Sequence, residues 1–212
     1  MVNNTSESSY TPILVTGISF EEFLERYDGQ WAEWVDGDVV AMSPIQHEHE
    51  LLRNYLRQLF LAYFDLNPVG EVLAEPEIMR LPNVPSGRAP DLFILLNDNP
   101  HQHRGTYLDG PADIVIEIAS PGTEAVDRGE KFVEYEQGGV REYWQIDQIR
   151  KQAQFYRLND EGVYLAYSED TDGFYESPQL ARLKLHVPTL WEEELPGFYQ
   201  IGDAVRAMLE AK

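Results

Sequence analysis

The chain contains no cysteine. Disulfides, thiolate metal sites and cysteine nucleophiles are therefore excluded. Basic residues are scarce: 16 Lys and Arg stand against 37 Asp and Glu, a formal net charge of −21. That balance argues against a broad cationic face able to displace counterions from nucleic acid. It leaves room for a local basic cleft, since net charge does not say where the field is focused. It also leaves room for divalent cations where carboxylates converge. Apolar runs are far shorter than the roughly 20 residues of a membrane-spanning helix. Residues 1–15 lack a basic region followed by a long apolar core, so no signal peptide is expected. The expectation is a soluble, cytoplasmic protein without membrane contact. There is no Gly-rich phosphate loop, no G-x-S-x-G nucleophile elbow and no H-E-x-x-H zinc helix. The "HEHE" at 47–50 lacks the spacing of the last.

What is present fits one domain over 11–212 behind a polar, disordered tail at 1–10. Ser19–Glu22, "SFEE", is a capping box that opens a short helix. "WAEWVDGDVVAMSP" reads as a hairpin turning at Asp36-Gly37. From His47 to Phe64, Leu51, Leu52, Tyr55, Leu56, Leu59, Phe60 and Tyr63 make one apolar helical face. Strands follow at 71–81, 89–96 and 112–119, with a turn over "PNVPSG" and a polar loop over 97–109. The strand at 112–119 is apolar on both parities, so both its faces should be buried. A helix over 124–137 stops at Gly138-Gly139, and a strand occupies 140–147. An antiparallel meander and a closing helix over 202–211 complete the chain. The predicted class is α/β (α+β): a mixed central sheet flanked by helices, with an N-terminal hairpin and a C-terminal antiparallel meander.

Two acids stand out. Asp91 follows Pro90 at the start of an apolar strand, and Glu117 interrupts another apolar strand near its end. If those strands are antiparallel neighbours, the two carboxylates converge. Two carboxylates plus water suit Mg²⁺ or Mn²⁺, hard cations that take oxygen ligands. Either acid alone also fits an ordinary surface strand end. Glu117 fits it less well, because an unpaired carboxylate among apolar neighbours is costly. Asp127, Lys131 and Tyr135 share one helical stripe. An Asp127–Lys131 ion pair explains that spacing. A lysine aimed at the metal carboxylates, to hold a water or stabilise charge on a phosphate, explains it too. His47 and His49 cannot share a helix face. His101 and His103 sit in the polar loop, where a metal grip competes with an ordinary surface loop.

Taken together, "WVDGDVVAMSP", His49, "GRAPDLFIL", "DIVIEIASPGT", "DRGEKFVEY" and "GGVREYWQID" resemble the Uma-type family of bacterial proteins, labelled restriction endonucleases, within the PD-(D/E)XK nuclease superfamily. The likeness runs over roughly residues 19–200. It implies a core of helix, three strands, helix, strand, and a Mg²⁺- or Mn²⁺-dependent endonuclease acting on DNA, with a homodimer expected. Asp91 matches the family's first acid and Glu117 its second; with the main-chain carbonyl of Ile118 they would hold the metal. The lysine normally two residues after the second acid is replaced by Ala119, and Lys131 matches a displaced position on the next helix. His49, Asp127 and Tyr135 match accessory positions. Two other readings stay open: a non-catalytic binding or assembly module on a nuclease fold, and a hydrolase of small phosphodiesters.

Overall fold

The computed structural model describes residues 12–27, 29–42, 46–100, 102–119 and 127–211, with the backbone alone at 102, 127 and 128. The tail at 1–10, His101, the break at Ser120–Thr123 and the helix start near Glu124 lie outside the described residues.

Helix α1 (Phe20–Tyr27) begins at the capping box. Glu22 N–H donates to Ser19 Oγ, and Ser19 N–H to the Glu22 carboxylate, each at 3.1 Å. Strands β2 (Ala32–Val35) and β3 (Asp38–Ala41) form the N-terminal hairpin. Asp36 and Gly37 both take positive φ, 49° and 90°, as a type I′ turn requires. The hairpin belongs to a seven-stranded sheet. In spatial order this runs β1 (Ile13–Val15), β3, β2, β6 (Ser86–Arg88), β5 (Ile78–Leu81), β9 (Tyr107–Asp109) and β8 (Gln102–His103).

A second sheet of six strands is the frame of the site. Its order is β13 (Tyr164–Tyr167), β12 (Gln152–Leu158), β11 (Glu142–Asp147), β10 (Ile114–Ala119), β7 (Leu92–Leu96) and β4 (Gly70–Ala74). Only β10 and β11 pair in parallel. With α2 (His47–Leu66) and α3 (Phe132–Gly138) the central order is α2, β4, β7, β10, α3, β11. This is the helix, three strands, helix, strand sequence expected. Strands β14 (Phe174–Glu176) and β15 (Lys184–His186) make a separate antiparallel hairpin, and α4 (Phe198–Glu210) closes the described chain.

All six residues of β10 are buried, and their parity divides two cores. Ile114, Ile116 and Ile118 pack with Leu52, Leu56 and Phe60 of α2 and with Trp144 of β11. Val115 faces the other way, with Phe93, Tyr143, Tyr135 of α3 and Met79, Leu81 and Leu108 from the seven-stranded sheet. Each fully buried large apolar side chain contributes about 1.5–3 kcal/mol, which clamps the central strand from both sides. Helix α3 lies close over β5 because Gly138 has no side chain: a Cβ there would stand 2.7 Å from Leu81 Cδ1. Gly139 then ends the helix at φ 88°, donating its N–H to the carbonyls of Tyr135 and Glu136.

Several boundaries differ from the sequence reading. The strand expected over 71–81 is two strands in different sheets, β4 and β5, parted at Glu75-Pro76. Proline has no N–H for a ladder, so the run cannot continue through it. The strand expected over 89–96 begins at Leu92, leaving Asp91 just before it. Ser86 and Gly87, read as turn, belong to β6, which pairs with β2 and β5. The 97–109 loop contains the short pair β8–β9. Leu51, assigned to the apolar face of α2, is 49% exposed. Helix α4 starts at Phe198, earlier than expected.

Candidate active site

The site lies where β7 begins and β10 ends. These strands are antiparallel, with Leu92 opposite Ile116. Asp91 stands one residue before Leu92 and Glu117 one residue after Ile116, so both acids lie at the same end of the sheet.

Both acids are buried and held. Asp91 Oδ2 accepts from the Ile118 N–H at 2.6 Å and meets His49 Nε2 at 3.2 Å. Glu117 Oε1 accepts from the Tyr135 hydroxyl at 2.6 Å and lies 3.0 Å from Lys131 Nζ. Lys131 thus reaches across to Glu117 on β10. The side chain of Asp127 lies outside the described residues. Lys131 ends a turn of π-helix at Asp127–Lys131, and α3 follows directly. The wider turn sets the lysine one residue ahead of the regular helix that carries Tyr135. Burial, then the charges of Glu117 and Glu33, pushes the Tyr135 hydroxyl well above its ordinary range. It stays protonated and donates.

Around this centre stands a ring of charge that the sequence did not reveal. Glu33 of β2 is buried, with Lys131 Nζ at 3.9 Å. It accepts from Arg88 Nη1 and from the Ala89 N–H, both at 3.0 Å. Burial works against its ionisation, but Lys131, Arg88 and the Ala89 N–H hold its carboxyl below the ordinary range. Arg88 also donates to both Glu134 oxygens, at 2.6 and 2.7 Å. Glu134 lies on α3 and accepts from Ser86 Oγ at 2.6 Å.

On the β4 side, Glu75 takes Arg53 Nη1 at 2.9 Å, and Arg53 also binds Glu50. Burial, then the nearby Asp91 charge, pushes Glu75 up to about 7 against the pull of Arg53, His49 and Lys131. The consequence for stability has a definite sign. Below its ordinary value of 4.5, Glu75 is protonated whether the chain is folded or not. From there to about 7 the folded chain keeps a proton that the unfolded chain releases, so folding weakens as pH rises through this window. Glu75→Gln is expected to remove about 2 kcal/mol of that pH-dependent loss in metal-free protein. Urea unfolding of both proteins at pH 4.5 and pH 8 measures it, and parallel pH slopes would contradict it.

Among the arginines near the site, Arg53 and Arg88 are engaged with carboxylates as described. Arg80 lies 3.6 Å from Glu21, Arg57 is exposed, and the side chain of Arg128 is outside the described residues. His103 pairs with Glu77 at 2.9 Å. One strand beyond Glu117, its register partner Gln145 helps line a cavity of about 600 Å³ with Gln154, Tyr156 and Ser168. Asp147, Glu169 and Asp170 outnumber Lys151 in that lining, so the cavity is a poor phosphate cradle.

The donor set suits a hard cation. It offers carboxylate oxygens from two neighbouring strands and no thiolate, and its one imidazole is turned onto a carboxylate. Both bonds to Asp91 use Oδ2. Among the described residues no group of three or more His, Asp or Glu side chains converges to hold a metal. Main-chain and water oxygens would complete the shell, as Mg²⁺ tolerates. Among the described residues no helix is long and apolar enough to cross a membrane.

Three comparisons place this geometry among known proteins. An uncharacterised protein of Synechocystis sp., slr1290, is 26% identical over 151 residues, covering 70% of this chain and 78% of the relative. The crystal structure of a protein from Anabaena variabilis, described as a "putative nuclease belonging to DUF820", superposes with a TM-score of 0.68 at 17% identity, covering 82% of this chain and 97% of that one. The fold is thus shared with that protein. The Uma2 family model, described as "Putative restriction endonuclease", matches residues 20–188, a span that contains every residue of the site above. The chain belongs to the Uma2 family.

Proposed function

We propose that this protein is a Mg²⁺- or Mn²⁺-dependent endonuclease that hydrolyses phosphodiester bonds in DNA. The observation that carries the reading is the Lys131 ammonium 3.0 Å from Glu117, with Asp91 bonded to the main-chain N–H of the next residue, Ile118. Asp91 and Glu117, with the Ile118 carbonyl, would hold the cation. When bound, the cation lowers the pKa of a coordinated water and polarises the scissile phosphate. Lys131 would orient that water or stabilise negative charge gathering on the phosphate. Tyr135 fixes Glu117 through its hydroxyl, and His49 fixes Asp91. The direct test is Mn²⁺- or Mg²⁺-dependent nicking of supercoiled plasmid DNA, lost in Asp91→Ala. Wild-type protein without activity across metals and DNA forms would refute it.

His49 should tune metal affinity rather than chemistry. Burial, the largest influence on its ring, favours the neutral form, yet the bond to Asp91 and the charges of Asp91 and Glu75 raise it above its ordinary range. Groups that orient a metal-ligating side chain typically matter 10–100-fold in affinity. His49→Ala is accordingly expected to weaken Mn²⁺ binding by about 10–100-fold in calorimetric titration. An unchanged Kd would remove His49 from the site.

One observation favours a second reading, a non-catalytic assembly module. Arg53 and Arg88 spend their charge on carboxylates, which leaves little cation for a DNA backbone. That reading predicts a homodimer in sedimentation together with no metal-dependent cleavage.

A further inference from the structure

We infer that Glu33, on the N-terminal hairpin, is a positioning residue that keeps the Lys131 ammonium in the site when Glu117 turns to a cation. The inference rests on the functional reading above and deepens it.

The displaced lysine creates a problem that Glu33 answers. A lysine on β10 would be fixed by the strand that carries Glu117. Lys131 instead comes from the start of a helix, and its ammonium has Glu117 at 3.0 Å and Glu33 at 3.9 Å. A divalent cation held by Glu117 would neutralise the nearer partner and repel the ammonium beside it. Like charges about 4 Å apart in a partly buried site repel far more strongly than they do in water. Glu33 is a second anion within reach of the ammonium, at 3.9 Å.

Its own anchoring does not involve the metal carboxylates. Oε1 accepts from the Ala89 N–H and Oε2 from Arg88, both at 3.0 Å. Arg88 is bound in turn to Glu134 of α3, three residues beyond Lys131. The hairpin, β6 and α3 thus close a ring of contacts through Glu33 and Lys131. Arg88 divides one positive charge among buried Glu33, part-buried Glu134 and exposed Glu130. Lys131 supplies a second charge that Glu33 needs in order to stay ionised below the surface.

A double-mutant cycle on the full chain tests this. Unfolding of wild type, Glu33→Gln, Lys131→Met and the double variant is measured in urea, without metal and with saturating Mn²⁺. The Glu33→Gln change should alter the unfolding equilibrium about tenfold less in the Lys131→Met background. That coupling should grow when Mn²⁺ is added. A cycle that closes within twofold without metal overturns the inference, as does coupling that shrinks with Mn²⁺. Glu33→Asp, which keeps the charge and shortens the reach, serves if Glu33→Gln fails to fold, and it should give intermediate coupling. In Mn²⁺-dependent DNA nicking, Glu33→Gln should lower kcat about tenfold or more with KM and Mn²⁺ affinity unchanged; a loss confined to KM or to metal affinity would also overturn it. A wild type that binds no Mn²⁺ refutes the nuclease reading instead, while the metal-free cycle still decides whether Glu33 holds Lys131.

Discussion

Asp91→Ala is expected to lower Mn²⁺-dependent DNA cleavage about a thousandfold or more, to the level of the metal-free protein. The metal's Lewis-acid and water-activating roles contribute several kcal/mol of transition-state stabilisation, and each 1.4 kcal/mol is about a factor of ten in rate. Asp91 also accepts from Ile118 and His49, so the alanine variant loses local order as well as a ligand. Asp91→Asn separates the two: it keeps the shape and removes the charge, and it should be nearly as inactive while folding like wild type. Lys131→Met should lose about 10²–10³-fold in kcat with Mn²⁺ affinity retained, as expected for a group acting on the developing charge rather than on the metal. Initial rates of plasmid nicking, with Mn²⁺ affinity measured in parallel, check all three. Retained cleavage in Asp91→Asn would remove this carboxylate from the reaction.

Arg88→Met should have the largest effect on stability. Its side chain is 3% exposed and binds Glu33 and Glu134 at once. Both burial and partners act on the guanidinium: burial opposes the charge, but Glu33 and Glu134 raise it well above its ordinary value, so it is fixed as a cation. Removing one member of a buried ion cluster leaves the others uncompensated, at a cost of about 3–5 kcal/mol. Urea unfolding at pH 7 measures this. Adding Glu33→Gln and Glu134→Gln to Arg88→Met should recover part of the loss, because the orphaned charges are then gone. A cost below about 1 kcal/mol, within the range of exposed ion pairs, would show that the cluster is more hydrated than its burial indicates.

How much of this could be read from the sequence depends on the range of the interactions. The capping box at Ser19–Glu22 and the Asp36-Gly37 turn are local, and both form as read. The β10 strand announced its two-sided burial through apolar residues on both parities. Glu117 was conspicuous for the same reason, a carboxylate where nothing local could pair it. Lys131 was ambiguous, since helical spacing fits an Asp127 partner as well as a distant one, and only the tertiary fold supplies Glu117. Glu33, Glu75 and Glu134 were missed, as was the part Arg88 plays in binding two of them. Arg88 meets Glu33 across 55 residues and Glu134 across 46, separations at which no periodicity carries information. One signal was available: Glu33 stands among apolar neighbours, Ala32, Trp34 and Val35, on a hairpin strand, much as Glu117 does on β10. The division at Pro76 was also available, in a proline set within an otherwise strand-like run.

The central claim is that Asp91 and Glu117 share one divalent cation with Lys131 beside it. Anomalous diffraction from a Mn²⁺-soaked crystal tests it most directly. The account predicts a peak about 2–2.5 Å from a carboxylate oxygen of each acid, with Lys131 drawn toward Glu33. A Mn²⁺ peak elsewhere on the chain, with Asp91 and Glu117 keeping their contacts to Ile118, His49, Tyr135 and Lys131, would contradict it.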